Sequence, residues 1–290
     1  MAVDTPSSTP ENPRTAEKSP TTPERVRQEA KDTYARPDSS DGKPGQRDLG
    51  RTGDGSNVQA GADEARPSFF EGVRQVNVRR DAADQLRRME TDGRQVLGGD
   101  PIPRVDHWRF QGVNDLGLGG TCGVVSVGGL VADFGTHITE TELVSQADEL
   151  KLLGPGGGTS AEDRQALLRE NGIESVILRE QSLESLAKIT EDGHGVIARV
   201  SAAELRGSDL IDDYTETADG RLAPDHAVVV TGTVRSDTGE LNGFVVNDSG
   251  NPNGAGVHVS KDLMRRAWQD LGADPGSLNV TATPRPGWER

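Results

Sequence analysis

The chain has 290 residues, 47 acidic against 32 basic side chains, a formal net charge of −15 and a single cysteine. An acidic chain without a basic run excludes nucleic-acid binding, which needs concentrated positive charge. No apolar run reaches the ~20 residues that span a bilayer, and one cysteine cannot form an intramolecular disulfide.

Composition then divides the chain. Residues 1–67 hold 8 of the 16 prolines and only Tyr34 among the aromatics. A Pro/Ser/Thr/Gly-rich segment with so little to bury does not offset its chain entropy, so a disordered tail is expected there. The tail carries 12 acidic and 10 basic residues, leaving 35 acidic and 22 basic, a net −13, on the 223 residues that follow. That remainder is long enough for a real core. The N-terminus, MAVDTPSSTPENP, has neither a basic start nor an apolar stretch. It predicts a protein that is cytoplasmic, or exported without a cleaved signal peptide.

Residues 68–104 read as a helical lead-in. Asp81–Thr91 forms a short helix with Leu86 and Met89 inward, Gly93 ends it, and Pro101-Ile102-Pro103 stiffens an extended connection. A folded domain is expected over 105–272, and His107–Gln111 brings Trp108 and Phe110 to its core. From Cys122 to Phe134 the apolar residues Val124, Val127, Leu130, Val131 and Phe134 recur at helical spacing, and Gly135 closes the helix. Gly128 and Gly129 within it each cost about 1 kcal/mol against Ala, which predicts close packing there. Thr139–Glu142 is a capping box opening a second helix with Leu143, Ala147 and Leu150 on one face, and Thr159–Glu162 another, opening a helix with Ala166, Leu167 and Leu168. Between them Leu153–Gly158 is a flexible, glycine-rich hinge or wall.

Strand patterns follow at Ile173–Leu178, Gly195–Ser201, His226–Val234, Leu241–Asn247 and Gly256–Ser260, with a short helix over Ser182–Thr190. Asp237-Thr238-Gly239 turns His226–Val234 back into Leu241–Asn247 as a hairpin. Residues 202–224 read as irregular and acidic, Lys261–Leu271 as an amphipathic helix, and residues 273–290 as a loose C-terminal tail. There is no internal repeat. Helices first and an antiparallel sheet afterwards predict an α+β domain of two lobes.

Cys122 lies where a glycine-rich turn enters a helix, and unpaired N–H groups and the helix dipole favour a thiolate there. A thiol enzyme also needs a base, a group to orient it, and oxyanion donors. His226, at the start of a strand, suits the base. The hairpin folds Asn247-Asp248 back beside it, so either residue suits the orienting role. A lone cysteine is more often a small buried apolar residue, a strand-end histidine often a surface group, and Asn-Asp-Ser-Gly often only a turn. Their joint placement outweighs these readings. His107, His137, His194 and His258 are scattered without metal-site spacing, and Gly154–Gly158 lacks the Lys-Ser/Thr of a phosphate loop, so neither a metal nor a cofactor is expected. The acidic stretch 204–219 biases a peptidase weakly towards basic substrates.

In Cys-Gly at a helix head, Gly-Thr-Ser at 158–160, the His226-Ala-Val-Val-Val strand and Val-Val-Asn-Asp ending at Asp248, the chain resembles the papain-like cysteine peptidases over about residues 105–271. The nearest branch is that of the bacteriocin-leader-processing, C39-like peptidases and related bacterial papain-fold toxin or effector domains. The resemblance implies Cys122 as nucleophile, His226 as base, Asp248 as orienting residue with Asn247 as the alternative, and Gln111 as oxyanion donor. Gln111 precedes Cys122 by 11 positions and Asp248 follows His226 by 22, both longer gaps than the family pattern. The implied activity is hydrolysis of an amide bond in a peptide or protein. Deamidation or acyl transfer on the same trio, and an inactive binding module of the same fold, are the alternatives. A toxin or effector role would give residues 1–67 a secretion-system or immunity partner.

Overall fold

The computed structural model describes residues 69–206 and 221–288, with side chains from residue 72 onward. The proposed tail, residues 1–67, and most of the acidic stretch 204–219 lie outside the described residues. Helix α1, Phe69–Thr91, is twice the length expected: Ala82, Ala83 and Leu86 pack with Val105 and Trp108 as the periodicity indicates, and the added turns lie before Asp81, where Val78 packs against the same cluster. Strand β1, Gln95–Gly98, follows, and then Pro101–Arg104 turns as helix α2 where an extended link was expected. Proline is tolerated in a first helical turn, where its missing N–H would have no partner.

Three helices come next: α3, Cys122–Asp133; α4, Glu140–Glu149; and α5, Ala161–Glu170. The Thr139–Glu142 box caps α4 as expected. At α5 the box is one residue later than expected, with Ser160 accepting from the Asp163 N–H and Asp163 reaching back to the Ser160 N–H. On α4, Val144 is buried and Leu150 is 44% exposed, so the apolar stripe turns away from Leu150. The predicted close packing in α3 is present: a Cβ on Gly128 would sit 2.8 Å from Leu143 Cδ1.

The remaining elements build one antiparallel sheet. Strands β2, Ser175–Leu178, and β3, His194–Val200, flank helix α6, Leu183–Glu191, and β3 leads into helix α7, Ala202–Arg206. The long hairpin strands are β4, His226–Ser236, and β5, Leu241–Asn247, followed by β6, Val257–Ser260. Helix α8, Lys261–Met264, continues as a wider turn through Gln269, and β7 spans Leu278–Pro284. The order is β2-β7-β3-β4-β5-β6, with β1 pairing β4 beyond the end of β3. Residues 273–290, read as a loose tail, therefore contain an interior strand: β7 bonds to β2 on one side and β3 on the other. Leu278 and Val280 are each 1% exposed, so the short Leu-Asn-Val-Thr run is stabilised by the strands around it and not by its own pattern.

Both faces of the sheet are covered. On one, Ile197, Ala227 and Val229 meet Val124, Val127 and Leu130 of α3. On the other, Val196, Ala198, Val228, Val230 and Phe244 meet Leu186 of α6 with Met264 and Trp268. Thr231 is an extra residue between the Val230–Val246 and Gly232–Val245 pairs. One inserted residue reverses the alternation, so Val234 comes to lie beyond α3 in the core under α1. The result is the expected α+β arrangement, a helical part followed by an antiparallel sheet. The head of α3 lies against the ends of β4 and β5.

Candidate active site

Cys122 is the first residue of α3 and is partly exposed. The Thr121 side chain does not cap the helix. It donates instead to Glu140 Oε1 at 2.6 Å, and Glu140, 7% exposed, also accepts from Gly112 N, Val113 N and Asn114 Nδ2. One buried carboxylate thus holds the Gly112–Asn114 turn and the residue before the cysteine together. Gly154–Gly158 is tied to the same loop, with Gly120 N donating to Gly156 O at 2.8 Å. Position 123 requires glycine, since a Cβ there would stand 2.0 Å from Thr159 Oγ1 and 3.1 Å from Arg164 Cδ.

His226 opens β4 and Asp248 follows the end of β5. Val229 pairs with Asn247. Extending that register places His226 and Asp248 on one face as diagonal neighbours, a separation within side-chain reach. Their contact is His226 Nε2 to Asp248 Oδ1 at 2.7 Å, with His226 6% and Asp248 2% exposed. The ring's other nitrogen is left for sulfur: the Cys122 thiol hydrogen-bonds the imidazole, and the Ala227 backbone N–H also donates to it. Trp108 Nε1 donates to the Asp248 carbonyl at 2.8 Å and Gly250 N to Oδ1 at 3.0 Å, so the aspartate is fixed through both backbone and side chain.

Burial alone would raise the Cys122 thiol, but the bond and charge of His226, the Ala227 N–H and the Arg164 guanidinium outweigh it, and the thiol lies below its ordinary range. Burial opposes charge on His226 too; Asp248 and Cys122 overcome it and raise the ring from 6.5 to about 9. Burial likewise opposes charge on Asp248, and His226 and Arg206 bring it down from 3.8 to about 2. All three shifts favour a thiolate, an imidazolium and a carboxylate in one chain of contacts.

Of the five residues expected at the site, Cys122, His226 and Asp248 meet. Asn247 does not. Alternation turns it to the opposite face, where Nδ2 donates to Arg104 O and Oδ1 accepts from Gly256 N, away from the ring. Gln111 lies against Ser249, next in sequence to Asp248, with its amide already bonded: Nε2 donates to Gly119 O at 2.8 Å, and Oε1 accepts from Ser249 Oγ at 3.0 Å. The 11-residue interval is taken up by the loop that Glu140 gathers.

Sequence reasoning missed Arg206, Arg164, Glu140 and the role of Trp108. Arg206 lay in a stretch read as an irregular acidic loop, yet it ends α7 and forks onto Asp248. Arg164 is 3% exposed and bonds only neutral acceptors, Thr159 O and Asn279 Oδ1, both at 2.9 Å. The other histidines have separate roles. His107 pairs with buried Asp133 at 2.6 Å, and His194 Nδ1 contacts Thr281 O at 2.8 Å. Among the described residues no group of three or more His, Cys, Asp or Glu side chains is placed to hold a metal, and no helix is long and apolar enough to cross a membrane.

No family model matches the chain. No curated protein matches it either. Among solved structures it is similar to a protein described as a candidate C39-like peptidase from Bacillus anthracis, with 17% identity and a TM-score of 0.40 over 57% of this chain and 90% of that one.

Proposed function

We propose that the protein is a thiol-dependent amide hydrolase of the cysteine-peptidase type, acting on a peptide or protein. The observation that carries this reading is the His226 ring, bonded at once to the Cys122 thiol and to Asp248. In the reaction the Cys122 sulfur attacks the carbonyl carbon, and the His226 imidazolium gives its proton to the leaving amine as the C–N bond breaks. The acyl-thioester that remains is hydrolysed by water, whose proton returns to His226. Asp248 holds the ring and balances its charge. The oxyanion is taken by the backbone N–H of Cys122 and by Gln111 Nε2, which for that purpose turns from Gly119 O. Deamidation and acyl transfer pass through the same thioester and differ only in the amide attacked or the acceptor.

The direct test is alkylation by iodoacetamide at about pH 6, where an ordinary thiol is almost wholly protonated. The expected rate exceeds that of a free thiol by tenfold or more, and Cys122→Ala abolishes both the labelling and the cleavage of a peptide library followed by mass spectrometry. A rate equal to that of a free thiol defeats the reading.

A further inference from the structure

A further assignment rests on the Cys122–His226 reading and deepens it. Arg206 Nε and Nη2 lie 2.8 and 2.7 Å from the two Asp248 oxygens, and the same Nη2 lies 2.6 Å from His226 Nε2. Asp248 Oδ1 is 2.7 Å from that ring nitrogen. A guanidinium nitrogen only donates and an ionised carboxylate only accepts. The bond to Asp248 therefore needs a proton on Nε2, and the bond to Arg206 needs a bare Nε2.

The two cases differ in chemistry. With the single proton of a neutral ring on Nε2, Nδ1 is free to take the thiol proton. With that proton on Nδ1, the ring presents N–H to the sulfur and has no place for another proton on that side. In the imidazolium, Nε2–H faces a cationic donor, an arrangement that like charge disfavours. We propose that Arg206 is a positioning residue that selects the Nδ1–H form of neutral His226 and opposes the imidazolium that Asp248 favours.

The charged and titratable groups around the ring are Asp248 beyond β5, Arg206 on α7, Cys122 on α3 and, behind the sulfur, Arg164 on α5. The neighbouring Asp225 is turned away, its Oδ1 accepting from Ala202 N at 2.8 Å. The Arg206 side chain is 19% exposed and that of Asp248 3%.

The test uses the full chain with 15N-labelled histidine, His226 being assigned by its loss in His226→Gln. In a Cys122→Ala background, which removes the pull of the sulfur on Nδ1, the ring shifts of neutral His226 report the tautomer. Nδ1–H is expected with Arg206 in place and Nε2–H in Arg206→Gln. With the cysteine restored, Arg206→Gln is expected to raise the pH at which His226 loses its second proton by about one unit, and Arg206→Lys to bring it back. An Nε2–H ring with Arg206 intact overturns the proposal, and that measurement needs no substitution at position 206. An unmoved titration in folded Arg206→Gln overturns it as well. Iodoacetamide labelling of the wild-type chain separates the two claims: slow labelling defeats the Cys122–His226 pair itself, whereas fast labelling with an Nε2–H ring defeats only the role of Arg206.

Discussion

Asp248→Asn changes one atom and removes one charge, so it isolates what the carboxylate does. In the wild-type chain Oδ1 receives His226 Nε2, Arg206 Nη2 and Gly250 N, and Oδ2 receives Arg206 Nε. The amide keeps an acceptor on one side and sets a donor against an Arg206 donor on the other. A unit charge about 4 Å from another is worth about 4 kcal/mol at an effective dielectric constant of 20, and opposite charges at such range shift a pKa by about 1–3 units. His226, held at about 9, is expected to fall by that amount. The thiolate then loses its counter-ion, and alkylation of Cys122 at about pH 6 drops by about tenfold or more. Breaking a largely buried ion pair also costs stability, on the order of 2–4 kcal/mol here because the Arg206 end is partly solvated. The assay is the iodoacetamide rate from about pH 4 to 10, with urea unfolding at the same pH values to confirm a folded variant. An Asp248→Asn profile that overlays the wild type would refute the view that the carboxylate sustains the pair.

The pH dependence of stability has a definite sign. His226 is raised from 6.5 to about 9, so its contribution is present in full below 6.5 and lost as pH rises through about 9, offset in part by the lowered Cys122 thiol, whose contribution grows as pH rises. Asp248 is lowered from 3.8 to about 2, so its contribution, much of it the same ion pair, is present above 3.8 and lost as pH falls through about 2. Urea midpoints should be level between these limbs and fall outside them. Gly123→Ala places a Cβ 2.0 Å from Thr159 Oγ1 and should destabilise by about 1–3 kcal/mol with slower Cys122 labelling; Gly123→Ala with Thr159→Gly should recover most of both. Glu140→Gln keeps an acceptor for one side of the Gly112–Thr121 loop and loses the charge. A loss of about 2 kcal/mol in urea unfolding is expected, with the alkylation limb of Cys122 unmoved because Glu140 acts through the loop and not on the sulfur.

The helices and the hairpin were legible because their signals are local. Period 3.6 with a capping box marks α4, and Asp237-Thr238-Gly239 between two β-branched runs marks β4 and β5. From the hairpin alone His226 could be placed beside Asn247-Asp248. What stayed hidden depends on partners distant in sequence. Strand β7 is ordinary in composition and becomes a strand through β2 and β3 on either side. The choice between Asn247 and Asp248 turns on a single step of alternation, which the sequence leaves open until the Val229–Asn247 register is known. Glu140 reads as part of a helix start, and nothing local indicates that its carboxylate gathers four donors from a loop 19–28 residues upstream.

On the proposed reading, Arg164 is the buried cation that offsets a charged sulfur at Cys122. A guanidinium that is 3% exposed needs an anion or several good acceptors nearby, and its direct partners are one backbone carbonyl and one side-chain amide oxygen, both neutral. Burial lowers it to about 10, and the largest opposing influence is the negative charge of Cys122, ahead of Glu162 and Asp163. The same cation lowers the thiol. Each of the two charges therefore makes the other less costly, and the glycine at 123 is what lets α3 start close enough for the exchange. A core cysteine kept only for its volume would gain nothing from a buried cation behind it. The cation is explained if the sulfur beside it is ionised in the working state, with His226 holding the proton it released.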